Sequence, residues 1–253
     1  MISKLGDGTE IGSQSPVPIA AVEARARGAT FARQANGAET PRLPRIAVLG
    51  AGHSGPAIAR AAVEAGYQVT IAASADPHEI ALITQVLVPG AEPRWAADAV
   101  ADADVVILAI PIHKFAGFDP ALVAGKLVVD VMNYWPPVDG VQAMFEDGQR
   151  GSSEIVQERL AGSAVVKTFN HLGYHDLDEA RRPAGSPERH ALGVAGDDPK
   201  AVAIVAEIVE RIGFDAVRLD NLRAGRLFEA GGPVFGASLR RAEFERAVRP
   251  DAA

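Results

Sequence analysis

The sequence predicts an α/β protein with a doubly wound, mostly parallel sheet. Three observations predict it. From residue 45 onward short apolar runs alternate with helix-forming stretches, a glycine-rich turn joins the first run to the first helix, and Asp-Pro pairs or single glycines mark the helix ends. Alternation of this kind lets each helix cross the sheet and cover it between neighbouring parallel strands.

The elements follow in order. Residues 45–49 form a short apolar strand, residues 50–55 the glycine-rich turn, and residues 56–65 an Ala-rich helix that Gly66 ends. Residues 67–72 are again strand-like, so β-turn-α-β is complete within about thirty residues, the span of a parallel crossover unit. Asp76 suits the cap of the next helix, Pro77 its first position and Glu79 the reciprocal capping position; this helix runs to about Leu87. A short helix or loop over 95–101 precedes a β-branched strand over 103–110, which Pro111 ends. Asp119-Pro120 opens a short helix closed by Gly125, and 126–132 is a buried strand. A helix over 152–160 and a strand over 164–169 come next. Past a Pro/Arg-rich loop at 181–189, 190–195 reads as a strand. Asp198-Pro199 caps a helix that Gly213 stops, 215–219 is a strand, and the rest is largely helical with a break at 231–233.

Composition narrows the function. The chain has 253 residues, 48% of them apolar, enough for one large domain or two modest ones. It has no cysteine, which excludes disulfides, thiolate metal sites, iron–sulfur clusters and cysteine nucleophiles. No His-Glu-x-x-His pattern stands in for them, so no metal site is expected. A net charge of −7 gives no electrostatic reason to expect nucleic acid or an anionic membrane as partner. The strongest apolar stretch, 105–112, contains Pro111 and is far short of the roughly 20 residues a membrane span needs. Lys4 is followed by Gly6, Asp7, Gly8 and Glu10 rather than an apolar signal segment, so a cytoplasmic location is expected. Residues 1–44 lack a sustained pattern and read as a flexible extension, with a helix over 20–35 that docks on a neighbouring subunit as the alternative.

Gly50-Ala-Gly52-His53-Ser54-Gly55 matches G-x-G-x-x-G in its confirming context of strand before and helix after. The glycines serve a tight turn, backbone approach to a pyrophosphate, and close contact of helix with strand; the N–H groups opening the helix face the anion. Residues 45–163 are therefore expected to be a Rossmann-type dinucleotide-binding domain, and 164–253 a smaller C-terminal α/β domain completing the cleft. At the end of the second strand Ser74, Ala75 and Asp76 stand where the adenosine ribose is read. Ser74 suits either a hydroxyl or a phosphate, Asp76 reads first as a helix cap, and no arginine is near in sequence. The choice between NAD and NADP stays open.

Several further stretches resemble the family of coenzyme F420-dependent NADP oxidoreductases. They are the segments at 103–111 (ADVVILAIP), 128–133 (VVDVMN), 152–156 (SSEIV), 165–170 (VVKTFN), 193–198 (GVAGDD) and 226–229 (RLFE). The resemblance runs in one order from Arg45 to about Gly236. It implies hydride transfer between NADP(H) and a deazaflavin stacked in a cleft, with the protein supplying position and electrostatics. Carried over, Gly50, Gly52, His53, Ser54 and Gly55 line the pyrophosphate, Ile110 and Pro111 lie beside the nicotinamide ribose, Asn133 lies near the nicotinamide, and Asn170 and Leu172 face the second ring. The sequence departs from the family at Ser74 and Ala75, where arginine is common, and around Asn170, where some members carry histidine and others asparagine, and where His171 follows here instead.

The remaining polar residues offer alternatives. His171, Tyr174, His175 and Asp176 cluster after a strand, and His171 or Tyr174 could protonate a carbonyl or imine; loop hydrogen bonding is the plainer role. His113 flanks the cofactor or is a solvated loop residue. Tyr134 and Trp135 wall a planar ring or anchor a loop. Arg226 and Glu229 read as a structural pair at i,i+3 spacing. The apolar C-terminal residues Leu227, Phe228, Val234, Phe235, Leu239 and Phe244 need burial, either on the chain's own sheet or across a homodimer. The function expected is an oxidoreductase moving hydride between NAD(P)H and a second partner, coenzyme F420 first. An NAD(P)H-dependent carbonyl or imine reductase and a non-catalytic NAD(P) sensor are the alternatives.

Overall fold

The computed structural model describes residues 42–146 and 148–249. Apart from residues 42–44, the N-terminal extension lies outside them. Eight strands form one sheet: β1 (Ile46–Leu49), β2 (Val69–Ala72), β3 (Glu92–Pro93), β4 (Val105–Leu108), β5 (Leu127–Asp130), β6 (Ala164–Lys167), β7 (Ala191–Gly196) and β8 (Asp215–Leu219). The helices are α1 (Ser54–Glu64), α2 (Pro77–Leu87), α3 (Ala96–Asp102), α4 (Pro136–Asp139), α5 (Ser152–Arg159), α6 (Asp176–Glu179), α7 (Pro199–Ile212) and α8 (Arg241–Val248), with 3₁₀ turns among them.

The strand order is β3-β2-β1-β4-β5-β6-β7-β8. All pairings are parallel except β6 with β7. The sheet is buried on both faces, which is why its strands β1 and β4 are apolar throughout. Alternate residues feed opposite cores. Ile46 and Val48 of β1 pack with α1 and α7 on one side, and Ala47 and Leu49 pack with α3 and α5 on the other. A third cluster, with Phe228, Val234 and Phe244 fully buried, covers β7 and β8. The C-terminal apolar residues are thus largely taken up by the chain's own sheet.

Local signals explain the element ends. Asp76, Asp119 and Asp198 each accept a backbone N–H at the start of the helical turn that follows, and Pro occupies the first helical position. Gly213, at φ 125°, stops α7. Strand β3 escaped the sequence reading: it has two residues, one of them Pro93, and lies on the sheet edge where a missing N–H is tolerated. The expected domain line at 163/164 falls inside this continuous sheet, since β6 pairs with β5 over four residues. One core cluster also spans both sides of that line, holding Ile46 and Ile58 together with Leu192 and Val205.

Candidate nucleotide-binding site

The chain leaves β1 toward β2 and β3, then returns to lay β4 on β1's other side. A crevice opens at such a reversal, outside the carboxyl ends of the strands, and it is where ligands bind in open α/β sheets. The glycine turn sits there. Gly50, at φ 127°, has no room for a side chain, because a Cβ would lie 2.2 Å from the Ala109 carbonyl oxygen at the end of β4. At Gly55 a Cβ would lie 1.9 Å from the Gly50 carbonyl oxygen, so α1 could not pack on the turn. Gly52 is different: nothing of the protein comes within 4 Å of its Cβ position, which leaves the backbone open to a ligand. Helix α1 has no side-chain cap and no acidic residue in its first turn. Its opening N–H groups are therefore available to an anion, and this turn fits a pyrophosphate.

A strap from the far half of the chain crosses the same helix. His53 and Tyr174 stack with ring centroids 4.8 Å apart and planes inclined by 15°. Arg60 of α1 pairs with Asp178, and Arg181 bonds Glu64 at 2.6 Å. Tyr174, half-buried, is thereby held beside the phosphate turn. Ile110 and Pro111 follow β4 after Ala109, and Ser74 is exposed two residues past β2. His113 is exposed on a 3₁₀ turn just past Pro111.

Asn133 and Asn170 come together. Asn170 Nδ2 donates to Asn133 Oδ1 at 2.9 Å and to the Phe228 carbonyl at 2.7 Å, while Asn133 Nδ2 donates to the Asn170 carbonyl at 2.6 Å. The residues expected at the two rings form one reciprocal pair, with Asn170 buried beneath and Asn133 half-buried. Between β6 and Asn170 stands Phe169, the sole non-glycine residue with positive φ (62°) among those described. Such a conformation costs of order 1–3 kcal/mol and persists only where the surroundings hold it.

Two expected residues point elsewhere. His171 is 1% exposed, and it lies between the Phe228 and Phe244 rings at 5.4 Å from each. Burial pushes its pKa down to about 4, with the Ala191 backbone pulling the other way. A neutral imidazole sealed among phenyl rings cannot hand a proton to a ligand in the cleft, so His171 is a packing residue. Leu172 is likewise buried in the core cluster beside α1 and does not face a second ring. Tyr134 turns out to be a loop anchor: its hydroxyl donates to Glu146 and accepts from the Gln142 N–H at 3.0 Å. Arg226 donates to the Gln149 carbonyl at 2.6 Å, and Glu229 accepts from Ser152 Oγ at 2.8 Å; both grip the start of α5 around Gly151.

Beneath the asparagine pair lies a charged group that the sequence reading passed over. Lys167 and Asp130, both 0% exposed, are register partners on β6 and β5, with Nζ and Oδ2 3.3 Å apart. Lys167 Nζ also donates to the Met132 carbonyl and lies 3.4 Å from Ser152 Oγ. Asp130 accepts from Ser153 Oγ at 2.5 Å and from the Met132 N–H at 2.9 Å. These bonds fasten the ends of two strands to the start of α5 and fix the loops that carry Asn133 and Asn170. Among the described residues no three His, Asp or Glu side chains gather as a metal site, and no helix is long and apolar enough to cross a membrane.

Fold and turn together define a Rossmann-type dinucleotide-binding protein. Residues 45–134 match the family described as "NADP oxidoreductase coenzyme F420-dependent", which bears out the resemblance over that stretch and makes the class an NAD(P)-dependent oxidoreductase. Among solved structures, a hypothetical protein from Sinorhizobium meliloti is 29% identical with a TM-score of 0.66, over 79% of this chain and 96% of that one. A protein from Arthrobacter sp. FB24, named as a candidate F420-dependent NADP reductase, is 25% identical with a TM-score of 0.63, over 78% and 100% of the two chains. A reductive aminase from Aspergillus terreus, solved with NADPH and ethyl levulinate, shares the fold at 17% identity and a TM-score of 0.51, over 75% of this chain and 59% of that one. No curated protein matches the chain.

Proposed function

We propose that the protein moves hydride between NAD(P)H and a second bound partner, and that this partner is the deazaflavin coenzyme F420. The observation that carries the reading is the open glycine turn at the β1/β4 crevice, with the Asn133–Asn170 pair fixed by strands β5 and β6 of the same sheet. Gly52, His53, Ser54 and the α1 N–H groups would hold the pyrophosphate, Ile110 and Pro111 the nicotinamide ribose, and Asn133 the nicotinamide. The two ring systems supply the redox chemistry themselves; the chain's residues bind, orient and exclude water. Asn170 acts here by positioning Asn133.

Direct reduction of a small carbonyl or imine is the second reading, and Tyr174 favours it, being the one candidate proton donor that stays half-buried beside the turn. We attach a small-molecule acceptor, a cytoplasmic location and a homodimer to the same function. The dimer is supported by Leu82, Ile83, Val86 and Leu87, which stand exposed on one side of α2.

The test mixes the full chain with NADH or NADPH and oxidised F420 and follows the visible absorbance of the deazaflavin. Bleaching that depends on the protein supports the proposal. Nucleotide binding without bleaching overturns the F420 assignment and moves the acceptor search to carbonyls and imines, with Tyr174→Phe as the diagnostic variant.

A further inference from the structure

We infer that the nucleotide site selects the unphosphorylated adenosine ribose, so that NADH is the preferred donor in a chain whose matched family is named for NADP. The inference rests on the nucleotide reading above and concerns one end of that site. The Gly50 N–H donates to the Ala72 carbonyl at 2.8 Å, so the residues that follow β2 stand directly beside the glycine turn. In this fold they meet the ribose hydroxyls or a 2′-phosphate.

Three features at this position disfavour a phosphate. First, Ser74, Ala75 and Asp76 bring no cation, and the carboxylate of Asp76 would face a group carrying about −1.5 to −2 charges. Second, the start of α2 is already filled. Asp76 Oδ1 accepts from the His78 N–H at 2.9 Å and Pro77 has no N–H to give, so the helix end that would otherwise draw an anion is satisfied from within. The other carboxylate oxygen remains for a ribose hydroxyl, the arrangement that reads NAD.

The third feature is the fate of the nearest guanidinium. A groove of about 630 Å³ lies at the sheet edge beside α2, lined by Asp76, His78, Arg94, Trp95, Asp98 and Asp102. The structure thus brings Arg94 near Asp76, where sequence distance suggested no arginine. Yet Arg94 is spoken for: it donates to Asp102 at 2.7 Å and to Glu92 at 3.0 Å. Those bonds also hold it more firmly protonated than usual. A phosphate on Arg94 would compete with these two carboxylates for one guanidinium, and both carboxylates would face the new anion.

The test is a pair of dissociation constants for NADH and NADPH, measured by nicotinamide fluorescence and by calorimetry on the full chain, with no acceptor present. NADH is expected to bind at least tenfold more tightly. Ala75→Arg combined with Asp76→Ser should reverse the preference, and Arg94→Ala should leave the ratio of the two constants unchanged. Equal or tighter binding of NADPH by the wild type would overturn the inference while leaving the function intact. So would loss of NADPH affinity in Arg94→Ala, since that would make Arg94 the phosphate partner. Failure of both nucleotides to bind would overturn the nucleotide reading itself.

Discussion

The buried Lys167–Asp130 pair makes the sharpest prediction. Replacing Lys167 with Met nearly keeps the length of the side chain and removes its charge, which leaves the Asp130 carboxyl at 0% exposure without its cationic partner and with only Ser153 Oγ and the Met132 N–H as donors. The Met132 carbonyl loses its Nζ donor at the same time. Breaking a buried pair from one side costs about 3–5 kcal/mol. For a folded unit of this size each kcal/mol moves Tm by about 2–4 °C, so the variant should melt about 6–20 °C below the wild type. Urea denaturation followed by circular dichroism gives the free energy directly, and a thermal scan gives Tm. The double variant with Asp130→Leu should cost less than the two single changes added together, by about 1–3 kcal/mol, because neither charge is then stranded. If Lys167→Met cost less than about 1 kcal/mol, or the double variant were simply additive, the pair would not be the fastening we describe.

Three further predictions follow from other parts of the molecule. Gly52→Ala meets nothing within 4 Å and should change stability by less than about 0.5 kcal/mol while weakening nucleotide binding at least tenfold, whereas Gly55→Ala should destabilise the fold outright; melting curves and nucleotide titrations separate the two. His171, with its pKa lowered from 6.5 to about 4, is neutral in the folded state while the unfolded chain binds a proton, so stability should be lost as pH falls from about 6.5 to about 4 and be fully present above that window. Its contribution is about 3 kcal/mol, and His171→Phe should flatten that limb of a stability–pH profile; an unchanged limb would assign it to other groups. Ile83→Asp, on the exposed side of α2, should turn a dimer into a monomer in light scattering while the circular dichroism of the folded protomer is kept, and a wild type that is already monomeric would remove the homodimer from the proposal.

What the sequence made legible was what depends on near neighbours in the chain. Strand and helix alternation, the Asp-Pro caps at Asp76 and Asp198, and the glycine turn all act within a few residues, and each stands where it was expected. Strand β3 was hidden because two residues carry no period. The directions of His171 and Leu172 were hidden for another reason. After β6 the chain passes through Phe169 at φ 62°, which ends the alternation of a strand. Asn170 then turns to Asn133, His171 enters the aromatic cluster over β7, and Leu172 enters the core beside α1. A histidine next to an asparagine at a strand end reads as chemistry in one dimension, and only the third dimension makes it packing.

The asparagine pair itself could have been anticipated. Val128-Val-Asp130 and Val165-Val-Lys167 each end an apolar run in a charge, and each is followed three residues later by asparagine, at 133 and 170. In a parallel sheet with Asp130 opposite Lys167, equal offsets keep equal partners close, so opposite charges in register bring the two asparagines into reach of each other. A buried charge inside an apolar strand is expensive unless it is paired, which makes an acid in one strand and a lysine at the matching place in another a signal of adjacency. The same logic explains why this corner of the molecule tolerates a positive φ at Phe169. The charged group below and the hydrogen-bonded pair above hold the turn from both sides, and that leaves Asn133 with little freedom at the crevice where a nicotinamide would sit.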